Sequence, residues 1–516
     1  VSAQAGYLTD VQYTGNFYQF LSPAWLAYIA AVNGYPAPAL DRDFTYCELG
    51  CGKGLTSLLL AAMHPNGVFH ACDFNAEHVD YAQGLKAEAG IHNVRFHAKS
   101  FAQMLEAELP AFDFIVLHGV YSWVPDPVRA QIREFARRKL KPGGLLMASY
   151  NALPGWAHLQ PVRRMMQLHA AGAEGNSLDK ARAAYAYVSA LAKNGAGYFR
   201  MVPEAARHVE QMAQKDIRYV AHEYLTPHGD PFYFADVESA MASAGLAYAG
   251  NMTPANNYPE LMIPEAFRDR MPAGKSRSAL EMHRDFIADT GFRADLYTPQ
   301  AAIEMPARLA LEAFAAIAFC LANLPERLAL AGERSGVKYD LSREEAAVRA
   351  IHARLAHGPA QAGELHAIAG RADREDTAFL LQELVVAGHL APCSPVRPPR
   401  GWMDVNSVLT EAALREQWQE VPLACPETGA GSYSETVHAA TIEAACRFDD
   451  AGSAARHILD RLRRHKHPVN RVSASGERIA ATDEEVLAYV AANWTGLTDR
   501  ANPNARLLRQ LGLLDH

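Results

Sequence analysis

The sequence predicts an α/β fold: a Rossmann-like, doubly wound and mainly parallel sheet with helical insertions. A winged-helix-like module and a mostly helical C-terminal region are expected after it. Three observations predict the sheet. Phe44-Thr45-Tyr46-Cys47-Glu48-Leu49-Gly50-Cys51-Gly52-Lys53-Gly54 reads as a buried strand, a glycine-rich turn and the start of an apolar helix near Leu55. Val68-Phe69-His70-Ala71-Cys72 is a second short strand. It ends on Asp73, about 20 residues beyond the loop, at the carboxyl edge where such sheets bind ligands. Leu140-Lys141-Pro142-Gly143-Gly144-Leu145-Leu146-Met147 is a helix end, a Pro-Gly-Gly turn and a further strand.

The remaining elements follow along the chain. Residues 7 to 40 are rich in aromatics (Tyr7, Tyr13, Phe17, Tyr18, Phe20, Trp25, Tyr28, Tyr35) and are expected to form helical segments over the mouth of the ligand site. From about 41 to 155 strands and helices alternate, the pattern of a parallel sheet. Val94-Arg95-Phe96-His97 is the third strand and Phe112-Asp113-Phe114-Ile115-Val116-Leu117 the fourth. A helical stretch runs from about 156 to 230. Phe234 to Gly245 is an amphipathic helix ending on glycine, followed by a sixth strand at Leu246-Ala247-Tyr248-Ala249-Gly250. Phe292-Arg293-Ala294-Asp295-Leu296-Tyr297 is expected as an antiparallel seventh, which makes the helices of 156–230 and 252–290 insertions above the substrate edge.

Beyond residue 340 the pattern changes. Ser342-Arg343-Glu344-Glu345 looks like a capping box opening a helix. Two more helical stretches then close on Gly388-His389-Leu390, which suggests a winged-helix-like module. Its candidate recognition helix carries Asp373, Glu375 and Asp376, which repel phosphate, so protein contact or packing is the preferred role. Pro392 to Pro399 reads as a linker, and 400–516 as mostly helical, with Arg461 to His467 a basic, solvated helix end. The expected domains are 1–155, a sheet core with an N-terminal helical cap; 156–300, a helical insertion with the last core strands; 301–395, winged-helix-like; and 396–516, helical.

Composition narrows the function classes. A chain of 516 residues is longer than one core usually needs, so several domains are expected. The net charge of −8 argues against broad nucleic-acid binding. Seven cysteines without CxxC spacing, three of them in or beside the glycine-loop core, point to reduced thiols in a cytoplasmic protein rather than a disulfide or zinc framework. No apolar run reaches the length of a membrane span, and no signal pattern opens the chain. It begins at Val1 rather than Met, which leaves room for an upstream segment.

The glycine loop fixes the chemistry of the ligand. A dinucleotide fingerprint requires glycine at 50, 52 and 55, but position 55 is leucine and the third glycine is Gly54. Glu48 beside the turn would repel a pyrophosphate and suits a cation. The loop resembles the first motif of the class I S-adenosylmethionine (AdoMet) methyltransferases, and the Pro-Gly-Gly turn is a companion mark of the same class. The resemblance implies a seven-stranded sheet, AdoMet as cofactor and S-adenosylhomocysteine (AdoHcy) as product. Asp73 would then accept the ribose hydroxyls, and Phe74 would lie on the adenine face. After the third strand the class often has an aspartate for the adenine amino group; here the chain reads Lys99-Ser100, with Ser100 a weak substitute.

Substrate groups are expected from the ends of strands four and five, where His118-Gly119-Val120-Tyr121-Ser122-Trp123-Val124-Pro125 and Ser149-Tyr150-Asn151-Ala152-Leu153-Pro154-Gly155-Trp156 form an aromatic rim. Aromatic faces attract sulfonium and ammonium groups alike. A lysine amine must lose a proton before it attacks, and an apolar slot favours its neutral form. Tyr121, His118 or a water chain could carry that proton, while Tyr18, Trp123, Tyr150, Asn151 and Trp156 are the candidate substrate contacts. For Tyr121, Trp123 and Trp156 taken singly, core packing is an equal alternative. His222-Glu223-Tyr224-Leu225-Thr226 begins like a zinc-protease helix but has Thr226 where the second histidine must stand, so no metal site is expected.

The same rim segments, with His222-Glu223-Tyr224-Leu225, Pro231-Phe232-Tyr233-Phe234 and Gly245-Leu246-Ala247-Tyr248, resemble the methyltransferases that carry a methyltransferase regulatory domain. Their best understood members are rickettsial protein-lysine methyltransferases acting on outer-membrane proteins. The likeness covers roughly residues 7 to 300. It implies AdoMet binding by Glu48, Gly50, Gly52, Gly54 and Asp73, beside which Phe74, Ser100 and His118 are further candidate cofactor contacts, and places Tyr13 with Tyr121 and Trp123 toward the methyl group. The chain departs at Ala152, where members tend to have threonine. The expected activity is N-methylation of protein lysines, with a small-molecule or peptide acceptor as alternative and an AdoMet-binding scaffold without turnover as a third reading. Expected partners are the acceptor and a second copy of the chain, with no nucleic acid.

Overall fold

The computed structural model describes residues 3–4, 7–8, 16–258, 261, 263–271, 276–299, 307–323, 328–334, 336–398, 401–472 and 478–514. Its centre is a seven-stranded sheet: β1 Phe44–Leu49, β2 Gly67–Asp73, β3 Val94–Ala98, β4 Phe112–Leu117, β5 Leu140–Asn151, β6 Leu246–Asn251 and β7 Phe292–Pro299. The order is β3-β2-β1-β4-β5-β7-β6. The first five strands are parallel, and β7 runs antiparallel to both β5 and β6. The two short strands read at 246 and 292 are therefore the sixth and seventh members of this sheet.

Both faces of the sheet are covered, so its strands are apolar throughout rather than alternating. Neighbouring residues enter two different cores. Tyr46, Phe69, Phe114, Val116 and Met147 pack on one side, and Cys47, Leu49, Ile115, Leu117 and Ala148 on the other. The parallel strands are linked by helices α2 Leu55–Met63, α3 Ala76–Glu88, α4 Phe101–Leu105 and α5 Asp126–Lys139. The N-terminal part differs from expectation. Helix α1, Pro23–Val32, is buried in the core with Leu26, Tyr28 and Ile29 inaccessible, and Tyr7 lies in a short strand pair with Ala3–Gln4.

The insertion after β5 contributes α6 Gln160–Ala171, α7 Ser177–Lys193, α8 Gly197–Met201, α9 Pro203–Gln211 and α10 Ile217–Leu225. They have a core of their own, including Val162, Met166, Val188, Val220 and Tyr224. Asp230 ties the end of this layer to the sheet domain through Arg129 of α5, 3.2 Å away. Helix α11, Phe234–Ser243, leads back into β6. Helix α12, Arg277–Ala288, is joined to β7 by a buried ionic cluster. Arg293 meets Asp285 at 2.8 Å, Glu281 at 2.9 Å and Asp295 at 2.8 Å, and Arg284 pairs with Glu281 and Asp285.

The following module holds α13 Glu345–Leu355, α14 Ala362–Ala369 and α15 Arg374–Val386 against three antiparallel strands, β8 Ala318–Leu321, β9 Ala360–Gln361 and β10 Leu390–Cys393. The partner of β10 is the upstream β8. Ser342 does not cap a helix: the Asp340 side chain accepts its amide and a 3₁₀ turn over Ser342–Glu344 intervenes before α13. The expected linker also begins later, because β10 runs through Pro392 and Cys393; proline is tolerated there on an edge strand.

The C-terminal part contains helices and a hairpin. Helix α16 is Trp402–Arg415, the hairpin β11 Glu420–Cys425 and β12 Ala430–Glu435, followed by α17 Thr436–Ala445, α18 Ala451–His465, α19 Asp483–Thr498 and α20 Pro503–Gln510. The basic run at the end of α18 is not uniformly solvated. Arg461 is buried between Glu411 and Glu443, at 2.8 and 3.0 Å. This part packs against α2, where His64 Nε2 lies 2.8 Å from the Gly429 carbonyl oxygen.

Candidate active site

The glycine loop joins β1 to α2 at the carboxyl edge of the sheet. Gly50 and Gly54 have φ of +76° and +72°, a region costly for residues with a Cβ. Space excludes side chains at both as well. A Cβ on Gly50 would stand 2.5 Å from Val120 Cγ2, and one on Gly54 would stand 2.6 Å from Phe96 and 2.8 Å from Ala82. At Gly52 a Cβ would meet nothing within 4 Å; that position faces open space.

That space is a cavity of about 400 Å³. Its walls come from the loop (Glu48 to Thr56), from Asp73 and Phe74 after β2, from Lys99 to Gln103 after β3, and from His118 to Gln131 after β4. Sheet order sets the β3 and β4 groups apart, with the loop between them. Asn16 and Tyr18 add a wall from the N-terminal segment, and His222, Glu223 and Thr226 of the α10 region roof it.

Asp73 and Glu48 are the acidic groups of the loop region. Asp73 Oδ2 accepts the Gly52 amide at 2.9 Å and Oδ1 accepts the Asn75 amide at 2.9 Å. A carboxylate oxygen has a second lone pair, so Asp73 keeps acceptor capacity on the cavity wall. Glu48 is buried, and Ser57 Oγ donates to its Oε2 at 2.5 Å. Burial drives its carboxyl up to about 7, against the Ser57 hydrogen bond and with Asp73 adding repulsion. Phe74, 38% exposed, lies on the cavity rim. The Ser100 hydroxyl is engaged in a capping box with Gln103, which binds it at 3.2 and 3.3 Å. Gln103 shares the wall and was not read from sequence.

At the β4 end, His118 lies under Tyr18, with ring centroids 3.8 Å apart, and near Phe20 at 5.2 Å. Ser149 Oγ accepts the Gly119 amide and stands 3.0 Å from His118 Nδ1. Burial holds the imidazole down to about 4, so it is neutral at ordinary pH. Trp123 is on the wall, with the Arg163 guanidinium 5.8 Å from its ring and Trp156 edge-on at 6.4 Å.

Several expected site residues are elsewhere. Tyr121 is buried off the cavity wall among Tyr150 and Phe232, and its hydroxyl accepts from Arg133 Nη1 at 2.8 Å. Tyr150 is buried too and donates to Asp295 Oδ2 at 2.6 Å, as part of the ionic cluster. Asn151 is held by Ser122 and Trp156 stacks on Tyr224; neither lines the cavity. All four are near the rim in sequence, but strand alternation and the turn after β4 send their side chains into the core. Tyr13 lies outside the described residues.

Sequence reading missed Glu223 as a cavity group. Its helix had been weighed only as a metal motif and a family mark. Its carboxyl is driven up to about 8 by burial, with Arg163 the opposing influence. Arg163 gives it no hydrogen bond: Nε donates to the Glu223 main-chain carbonyl at 3.1 Å, and Nη2 to the Thr226 and His228 carbonyls. Lys53, also on the wall, is paired with Glu416 at 3.0 Å and lies 4.7 Å over the Tyr81 ring.

Taken together these residues fit AdoMet on the structure's own terms: a carboxylate with free acceptor capacity, bare backbone at Gly52, a partly exposed aromatic ring at Phe74 and the buried Glu48 carboxyl with no salt bridge among the described residues. Comparison with known proteins agrees. Residues 40–212 match a family described as "Methyltransferase domain", and 216–298 match one described as "Predicted methyltransferase regulatory domain". The protein sll1526 of Synechocystis sp. is 32% identical over 360 residues, covering 70% of this chain and 71% of that protein. RP789 of Rickettsia prowazekii is 27% identical over 56% of this chain and 51% of its own length. The structure of PKMT2 from Rickettsia typhi in complex with AdoHcy superposes with a TM-score of 0.68 at 20% identity, covering 94% of this chain and 98% of that one, a likeness of fold. This chain belongs to the class I AdoMet-dependent methyltransferases that carry a methyltransferase regulatory domain.

Proposed function

We propose that the protein transfers the methyl group of AdoMet to lysine side chains of a protein. One observation carries the reading. The cavity runs from the glycine loop to an aromatic end formed by Tyr18, His118 and Trp123, and two of its three carboxyls, Glu48 and Glu223, have no salt-bridge partner among the described residues. Two unpaired carboxyls suit two cations, the amino group of AdoMet and the ammonium of an acceptor. In this reading Asp73 holds the ribose, Glu48 the amino group, and Phe74 and the Gln103 region the adenine. Bound AdoMet supplies an electrophilic methyl group. The chain's own part is to align the acceptor for in-line displacement and to exclude water, which positioning alone can make effective. The fold likeness to rickettsial PKMT2 supports a protein acceptor, with residues 156–300 as the layer that presents it.

A small amine is the second reading, and the α10 roof over the cavity favours it, since a lid limits the size of the acceptor. Incubation with methyl-labelled AdoMet and fractionated lysate separates the two. Label at lysine in a discrete protein is the expected result. Label confined to small molecules would shift the assignment to the second reading, and label on oxygen or carbon acceptors alone would overturn both.

A further inference from the structure

We propose that the Glu223 carboxyl binds the ammonium group of the acceptor and takes its proton, making a residue of the inserted helices a catalytic residue. The inference rests on the amine-acceptor reading above. Three observations support it. Glu223 lies on the cavity wall with Tyr18, His118 and Trp123. Its carboxyl makes no hydrogen bond or ion pair among the described residues: Nε and Nη2 of the adjacent Arg163 go to the carbonyls of Glu223, Thr226 and His228 and to the Thr226 hydroxyl, so Arg163 acts on it only through space. It sits near the C-terminal end of α10, where the helix dipole disfavours negative charge. Beyond the through-space attraction of Arg163, local contacts give no reason for a carboxyl there, whereas an incoming cation does.

The other groups on this wall suit the task less well. Tyr121 points into the core, and a His118 ring held down to about 4 is a poor acceptor for an amine proton. A carboxyl driven up to about 8 is a much closer match to an amine. The charged and titratable groups around Glu223 are Arg163 on α6, Tyr219, His222 and Tyr224 on α10, Tyr18 on the N-terminal segment and His118 across the cavity. In the step itself an ammonium N–H bond breaks and a carboxyl O–H bond forms. The nitrogen lone pair so freed forms the new N–C bond as the methyl C–S bond breaks, and that electron pair stays on sulfur. The carboxyl then returns its proton to solvent.

The test is calorimetry of n-butylamine, the minimal lysine side chain, binding to the full-length protein loaded with AdoHcy. Below pH 8 the free carboxyl is protonated, so binding butylammonium must release a proton. Titrations at pH 6.5 in buffers of different ionisation enthalpy should show release approaching one proton per site, falling toward zero at pH 9.5. Affinity should rise by about 10-fold or more between pH 6.5 and 8.5. Glu223→Gln should abolish both effects while AdoHcy binding stays within two-fold. Absence of proton release by the wild type, absence of butylammonium binding, or identical behaviour of the variant would each overturn the proposal. The wild-type proton count stands even if the variant fails to fold. If lysate lysines are labelled but butylammonium binding ignores Glu223, only this inference fails; if no amine is labelled, the functional reading fails first.

Discussion

Asp73 and Glu48 illustrate how one loop can handle a ligand that is both a diol and a cation. Asp73 fixes the loop through the Gly52 amide and still faces the cavity. Replacing it with alanine should weaken AdoMet about 10-fold or more, a hydrogen-bonded charge being worth about 1.5–3 kcal/mol; unchanged calorimetric affinity would remove it from the site. Glu48 carries a pH signature. Burial pushes its carboxyl up to about 7, and a bound cation favours the ionised form. AdoHcy affinity should therefore rise from pH 6 to pH 8, and Glu48→Gln should bind weakly with a flat profile over that window. At this scale the sequence was informative about backbone-defined positions. The glycines, Glu48 and Asp73 are set by the strand-turn-helix frame, so their numbers alone place them on the wall. Tyr121, Tyr150 and Trp156 were not legible, because a residue two places along a turn can face the cavity or the core, and only packing decides. Glu223 had no local signal: it reaches the site through the packing of α10 over the sheet.

At the scale of elements, the junction of α12 with β7 is the most exacting. Arg293, Asp295, Glu281 and Asp285 are all buried, and Tyr150 joins them through Asp295. Such a cluster is stable only while complete, since removing one member leaves buried charges unpaired. Arg293→Ala should cost about 3–5 kcal/mol, visible as a lowered thermal midpoint with AdoHcy present or absent. A loss below 1 kcal/mol would mean that water or a rearranged Arg284 takes its place. Arg293 and Asp295 alternate along β7, and the charges that complete their cluster come from a helix whose register the local pattern does not reveal. The sixth and seventh strands were nonetheless legible, because a helix ending on Gly245 and an apolar run are local features. The Ser342 cap was misread for a similar reason: Asp340, two residues earlier, competes for the same amide.

On the scale of the whole molecule, the C-terminal part braces residues of and beside the cavity wall. Tyr433 of β12 accepts the Phe17 amide at 2.7 Å and donates to the Phe17 carbonyl at 3.3 Å, directly beside Tyr18. Glu416, just after α16, holds Lys53 of the glycine loop. Tyr433→Phe should loosen the segment carrying Asn16 and Tyr18 and weaken AdoHcy by about 3–10-fold, in keeping with one or two hydrogen bonds worth about 1 kcal/mol each. Equal affinity in the variant would show that the segment is ordered without it. Nothing in residues 400–516 announced this role, since contacts separated by more than 400 positions leave no trace in local periodicity. Among the described residues no helix is long and apolar enough to cross a membrane.

The bond between Tyr433 and Phe17 has a consequence for the life of the protein during its synthesis. The ribosome makes Phe17 early and Tyr433 late, so a nascent chain carries the whole glycine loop long before the wall beside Tyr18 can be tied down. A chain cut ahead of the hairpin lacks both of these hydrogen bonds and should bind AdoHcy at least as weakly as Tyr433→Phe.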